Sequence, residues 1–564
     1  MSAPTSSSVS QLATTPPAPV APAAPGRFGP AFRPAPLPAP RSGTRLGPPK
    51  RPLSAAWDRV VAIRVDLAIV VGLLIVAGVV NGINLGGSPA FFDDEGTYVA
   101  QSWAVTSLGQ LAPYTYWYDH PPLGWLVMAG WSLLTDGLLG SGPSIAEARS
   151  LMLVLTLVNA ALVYVIARRL RMHRMFAALA VALFALSPLA VYYHRMVLLD
   201  NIAVTGLLAA FALALSPARR LAAFAAAGLC FAAALLTKET MMLALPALVL
   251  LAWQNAKGPT RGFALGVLLA GCAVVAAFYP LFATLQGELF HGAGHTSLVD
   301  GIRFQLTRPG SGGVLDPRSG ARQLIDAWLR HDPVLPSAAI VLVPIALAFI
   351  PRLRAVALAI AVPVVVAARP TAYVPAMFVI GLIPYAALLV AGLADEIFQG
   401  GVARGPGVLR QGLGLVPALA LIALALELAV LFGPRWIDGN VQRMRRDDAA
   451  PARQAVDWIA GHVDRRSTIV VDDTIWLDLV QRGFARERMI WFYKLDLDPA
   501  VMRPRASIDY VVRSNLMAGN VRDLPRTRDL LVNSRPVAVF SAGDERFEIR
   551  RVIAPQTAVG VETG

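Results

Sequence analysis

Residues 168–239 read RRLRMHRMFAALAVALFALSPLAVYYHRMVLLDNIAVTGLLAAFALALSPARRLAAFAAAGLCFAAALLTKE. Three apolar runs, 176–191, 201–216 and 221–237, fill this stretch, each near the length of about 17–25 residues that crosses a bilayer. The breaks between them alternate in character. RRLRMHR (168–174) and PARR (217–220) are strongly basic, whereas YYHRMVLLD (192–200) and TKE (237–239) are short and mixed. Basic connections belong on the cytoplasmic side of a membrane, so the stretch reads as three crossings with RRLRMHR and PARR inside.

The same reading extends along the chain. Further apolar runs lie near 66–84, 149–167, 240–254, 262–283, 336–350, 355–368, 372–394 and 412–433, which makes about 11 spans. NAKGPTR (255–261), PRLR (351–354) and VARGPGVLR (402–410) then fall inside, and the alternation holds for ten consecutive connections. Composition agrees: 55% of the residues are hydrophobic and only 15% charged, against about 25% charged in soluble domains. The net charge of +14 sits largely between apolar runs. It reads as membrane topology rather than as a nucleic-acid-binding face. Cys230 and Cys272, the two cysteines, both lie inside apolar runs, so no disulfide framework or thiolate metal site is expected.

Residues 1–57 are rich in Pro, Ala and Ser, lack acidic residues and carry six basic ones, which fits a disordered cytoplasmic tail near anionic headgroups. Residues 58–433 form the expected all-α transmembrane domain, with long outer segments at 85–148 and 284–335. Within the first of these, Pro121–Gly140 is apolar enough to compete for a span. A crossing there would turn RRLRMHR outward, so it is read as an interfacial helix with Trp125 and Trp131 at headgroup level. Residues 434–564 then lie outside. ARQAVDWIAGHV reads as an amphipathic helix, STIVV and IDYVV as buried strands, and VAVFSAGDERFEIRRV as a hairpin across Gly543-Asp544, together a small α/β domain.

Carboxylates are scarce in the membrane part, so their positions carry information. The first outer segment opens with Asp93-Asp94-Glu95 and Tyr98, followed by Tyr118-Asp119-His120-Pro121-Pro122-Leu123. The next outer turns supply Arg195 with Leu199-Asp200, then Lys238-Glu239. Adjacent acids at a membrane surface repel one another and lose hydration, so they need partners or a task. Acids facing a wall of Arg, Lys and His at one depth describe a site for an anionic lipid headgroup with a general base beside it. His291 and His295 have metal-like spacing but sit in a glycine-rich loop, and Asp472-Asp473 reads as a helix cap at a strand end.

Asp94-Glu95 with Tyr98, His120-Pro121-Pro122-Leu123, Arg195 before Leu199-Asp200, Lys238, and Arg369-Pro370 with Tyr373-Val374-Pro375 and Pro384 form an ordered set. It resembles the lipid-carrier-dependent glycosyltransferases of the GT-C superfamily, closest to the protein O-mannosyltransferase and aminoarabinose transferase group, over roughly residues 60–395. The resemblance implies a polyprenyl-phosphate-sugar donor, a lipid, glycan or protein acceptor, and inversion at the anomeric carbon at the outer face of the plasma membrane. It implies Asp94 as general base, Glu95 orienting it or binding the acceptor, Asp200 as a second carboxylate, and His120, Arg195, Lys238 and Arg369 on the donor phosphate. Tyr98, Tyr118 and Tyr373 would line the pocket. His120 stands where the aminoarabinose group has Lys. Asp200 is followed by Asn201-Ile202, so no metal-binding pair of acids is present and no cofactor is expected. A polytopic transporter or lipid flippase is the rival reading. It should show repeated halves and ionisable residues near mid-membrane, whereas the charges here gather in outer turns.

Overall fold

The structure is a computed structural model that describes residues 52–139, 144–292, 295–402, 423, 427 and 430–553. Almost all of the expected 1–57 tail, the 402–410 connection and most of the 412–433 run lie outside the described residues. In chain order the first helices are α1 (Pro52–Gly82), α2 (Asp93–Leu108), α3 (Leu123–Leu139), α4 (Ile145–Arg169), α5 (Arg174–Leu186), α6 (Pro188–His194), α7 (Leu199–Ala214) and α8 (Leu221–Thr237). They continue with α9 (Leu245–Asn255), α10 (Arg261–Ala276), α11 (Phe278–Leu285), α12 (Leu298–Thr307), α13 (Gly320–His331), α14 (Val334–Phe349), α15 (Arg354–Ala367) and α16 (Ile383–Val402).

The chain is a helical membrane protein. By length and composition, four of the described helices suffice to cross a bilayer, or six if two bent pairs each count as one. The bends have local causes. Between α5 and α6, Pro188 cannot continue the hydrogen-bond ladder and pushes Ser187 into an extended conformation, giving a 58° break. Asp332-Pro333 separates α13 from α14 at 112°. At Gly228 of α8, an added Cβ would lie 2.0 Å from the Leu268 carbonyl oxygen of α10, so the two backbones meet only because the residue is small. Large apolar side chains on the outer helices, including Ile75 of α1 and Phe263 of α10, remain exposed, as a lipid-facing surface requires. Asp66 binds Arg174 (2.9 Å) and Asp395 binds Arg352 (2.8 Å), pinning α1 to α5 and α16 to the turn before α15.

The segment expected to lie along the interface forms α3, and its tryptophans face protein. Trp125 is fully buried against the Tyr116 ring, and Trp131 donates its indole N–H to Ser150 of α4 at 3.0 Å. Apolarity alone does not reveal which face of a helix meets protein. Leu126, Val127, Leu133 and Leu134 are the exposed large apolar residues of α3.

Near the C-terminus, α17 (Ala450–His462) and α18 (Asp473–Gln481) pack on a five-stranded sheet: β1 (Ile469–Val471), β2 (Met489–Trp491), β3 (Tyr510–Arg513), β4 (Ser534–Ala542) and β5 (Glu545–Val552). The order is β2-β1-β3-β5-β4, with β2, β1 and β3 parallel and β5 antiparallel to both its neighbours. Gly543, at φ +55°, makes the hairpin turn, a backbone region in which a Cβ is unfavourable. The carboxyl ends of the parallel strands face α2. Asp473, after β1, accepts a hydrogen bond from Thr97 (2.7 Å) and another from Tyr493, which follows β2 (3.2 Å). At Gly96 a Cβ would sit 2.4 Å from the Asp473 carbonyl carbon, so this contact also admits glycine only. Tyr114 adds a hydrogen bond to the Met489 carbonyl (2.5 Å).

Candidate active site

Four elements bring their polar ends together at one end of the bundle. α2 supplies Asp94 and, one turn later, the buried Tyr98. The loop before α3 supplies Asp119 and His120, the first turn of α7 supplies Asp200, and the turn after α8 supplies Lys238 and Glu239. Lys238 Nζ lies 3.0 Å from His120 Nε2, and His120 Nδ1 lies 3.0 Å from a Glu239 carboxylate oxygen. An ammonium only donates, so Nε2 accepts and Nδ1–H donates to Glu239. The imidazole therefore links cation to anion in one defined tautomer. Despite burial, His120 and Lys238 hold the Glu239 carboxyl down at about 2.

Lys238 is 3% exposed, with Asp200, Glu239, Asp94 and Asp119 as its acidic neighbours. A buried ammonium is tolerable only with such company. Asp94 has Lys238 and Arg308 as cationic neighbours, the His120 imidazole beside them and Asp119 as an acidic neighbour. Burial raises its carboxyl above the usual carboxylate range. Asp200 is 2% exposed, and one of its carboxylate oxygens has no partner among the described residues. The Tyr98 ring stands edge-on to His120 at 6.4 Å.

The second long outer segment closes the other side. Ser311 N–H donates to the Ala372 carbonyl (2.8 Å), and Val374 N–H donates to Ser311 Oγ (2.9 Å). This pairing lays the Arg308 guanidinium over the Tyr373 ring at 3.8 Å. Tyr118, at φ +55°, packs against Tyr116 and Tyr279 and donates to Glu288 (2.5 Å). It braces the His120 loop from behind.

Three residues of the expected set stand elsewhere. Glu95 is completely buried and saturated: it accepts from Arg149 Nε (2.9 Å) and Nη2 (2.7 Å) and from the backbone N–H groups of Phe92 (2.9 Å) and Val197 (2.8 Å). No lone pair points at the cluster, so Glu95 positions α2 rather than touching a substrate. Arg195 donates to the Ile83 carbonyl at 2.7 Å, and its charged neighbours are Arg149, Arg443 and Asp448. Arg369 is exposed, donating to the Val366 carbonyl one turn back.

The sequence names Glu239 without giving it a role, and neither Arg308 nor Arg149 is singled out there. Glu239 was visible beside Lys238, and Arg149, an arginine opening a long apolar helix, signals an obligatory partner. Arg308 carries no local signal, because only the pairing of 311 with 372–374 brings it in. His291 contacts Asp300 at 3.1 Å, and Asp472 caps α18 by accepting from Thr474 N–H (3.0 Å). Among the described residues, no group of three or more His, Cys, Asp or Glu could hold a metal ion.

The cluster is thus a carboxylate beside two cations and an imidazole, lined by aromatic rings. Residues 119–281 match the family model of dolichyl-phosphate-mannose-protein mannosyltransferase. The fold is similar to that of ArnT from Cupriavidus metallidurans. The form bound to undecaprenyl phosphate matches at a TM-score of 0.52 and 17% identity, covering 86% of this chain and 98% of that one. The apo form matches at 0.50 and 18% identity over the same shares. No curated protein matches the sequence.

Proposed function

We propose that this protein is an inverting glycosyltransferase that moves a sugar from a polyprenyl-phosphate donor to a hydroxyl acceptor on a lipid, glycan or protein. The observation that carries the reading is the placement of Asp94 among Lys238, His120 and Arg308. A phosphate-linked sugar leaves without protonation of the leaving group, so the barrier falls chiefly by stabilising charge that grows on phosphate oxygens. Lys238 and Arg308 suit that task, and His120 orients Lys238. Asp94 removes the acceptor proton, and the raised affinity of its carboxyl for protons fits a base that must accept one. Attack from the face opposite the phosphate inverts the anomeric carbon. Asp200 balances Lys238 and leaves an oxygen for a sugar hydroxyl. The cations do the electrostatic work a divalent metal would otherwise do, so no cofactor is part of the proposal.

Family match and fold similarity support this reading over a transporter, as does the gathering of charges at one end of the bundle. The proposal includes about 11 spans, a cytoplasmic N-terminus, a plasma-membrane location and residues 434–564 outside. The test is transfer of radiolabelled sugar from purified polyprenyl-phosphate donors to envelope acceptors by the protein in detergent. Release of polyprenyl phosphate that depends on both Asp94 and Lys238 is expected. Donor translocation without cleavage of the glycosyl phosphate would refute the proposal in favour of a flippase.

A further inference from the structure

A basic concavity lies apart from the Asp94 cluster. It has a volume of about 910 Å3 between the α6 end, the α13–α14 bend and the helical residues 430–445, and its lining includes Tyr192, Arg330, His331, Arg435, Arg443 and Arg446. That volume is of the order of small-ligand sites, about 300–1,000 Å3. Its floor is built rather than incidental. Tyr192 and His331 stack with ring centroids 4.3 Å apart, and Arg443 lies over the Tyr192 ring while donating to His331 Nδ1 at 2.9 Å.

Behind this floor Arg195 is 1% exposed, and its Nε and Nη1 have no hydrogen-bond partner among the described residues. A buried guanidinium with idle donors is costly, and two of its three charged neighbours, Arg443 and Asp448, line the cavity. The acids there are partly engaged: Asp326 with Arg322 (3.0 Å) and Asp448 with Ser88 Oγ (2.7 Å). With Arg195 counted, five guanidinium groups face three carboxylates, Asp326, Asp438 and Asp448. The excess is positive.

We propose that this cavity binds a phosphate-bearing anion, namely the headgroup of an anionic lipid. Guanidinium forks match phosphate oxygens better than any other side chain does. Depth selects the lipid. Within the helical residues 430–445, the exposed apolar Val430 and Leu431 precede the charged Arg435, Asp438 and Arg443, the pattern of a membrane–water boundary. Acyl chains would follow the apolar foot while the headgroup enters the basic cavity. This inference does not rest on glycosyl transfer.

The test is native mass spectrometry of the full-length protein in neutral detergent with dioleoyl phosphatidylglycerol, alone and with millimolar inorganic phosphate. Arg435→Gln/Arg446→Gln, both rim positions, should weaken lipid binding by about 10-fold or more, because each charge-assisted bond is worth a large factor. If that variant fails to fold, Arg443→Lys, which keeps the charge but loses the fork, carries the same expectation of weaker binding. His120→Ala should leave the lipid bound, separating this site from the Asp94 cluster. Competition by inorganic phosphate would make free phosphate the ligand of the same anion site, and its absence would make the lipid the ligand. Equal lipid and phosphate binding by wild type and variants, or no binding by wild type, overturns the proposal.

Discussion

Replacing Glu95 by Gln tests whether the second acid of the Asp94-Glu95 pair is chemical or structural. The glutamate accepts four hydrogen bonds, two of them from a completely buried guanidinium. Arg149 sends its remaining N–H groups to the Leu85, Pro89 and Ala90 carbonyls, which carry no formal charge. In Glu95→Gln, one carboxylate oxygen becomes a donor facing donors, and the arginine charge loses its counterion. Breaking one side of a buried pair costs about 3–5 kcal/mol, a large part of a typical folding free energy. Unfolding in mixed micelles should therefore shift by that amount, and transfer activity should fall with the folded fraction. Adding Arg149→Met removes the orphaned charge and should restore part of the loss, though not all, because three carbonyls lose their donor. A Glu95→Gln protein as stable as wild type but inactive would refute this account and return Glu95 to the chemistry.

Asp94→Asn should lower transfer by about 10²–10⁴-fold while donor binding, read by isothermal titration, stays near wild type; near-normal turnover would remove it as base. Arg308→Lys should weaken donor binding or slow the chemical step, because the Tyr373 stack and planar fork are lost, and EDTA should change nothing in either protein. Gly96→Ala drives a methyl into the Asp473 backbone and should loosen α2 from the sheet, seen as faster proteolysis between residues 440 and 460; unchanged proteolysis and activity would deny the contact a role. The Asp93 carboxyl is pushed up to about 7 by burial, with Asp94 and Asp472 adding to the shift. The folded state then binds more protons than the unfolded one between about pH 4 and 7, so stability falls as pH rises through that window. Asp93→Asn should flatten the stability profile there, and an unaltered slope would assign it to other groups.

The helical membrane architecture was legible because lipid imposes one rule on every span: apolar side chains outside and backbone groups satisfied within. Basic turns such as RRLRMHR and PARR therefore marked the helix ends, and α4, α5, α7 and α8 lie where the apolar runs do. The hairpin at Gly543 was equally local. Asp94, His120, Asp200 and Lys238 stood out because charge is scarce near a bilayer. Azimuth was another matter. For Glu95, Arg195 and Trp125, apolarity on all sides of a helix hides which face meets protein, and only packing set them against Arg149, the Ile83 carbonyl and Tyr116. Arg308 reached Asp94 through a backbone pairing between segments some sixty residues apart. Depth follows from hydropathy along the chain; rotation about the helix axis and long-range pairing follow from contacts that no single stretch of sequence contains.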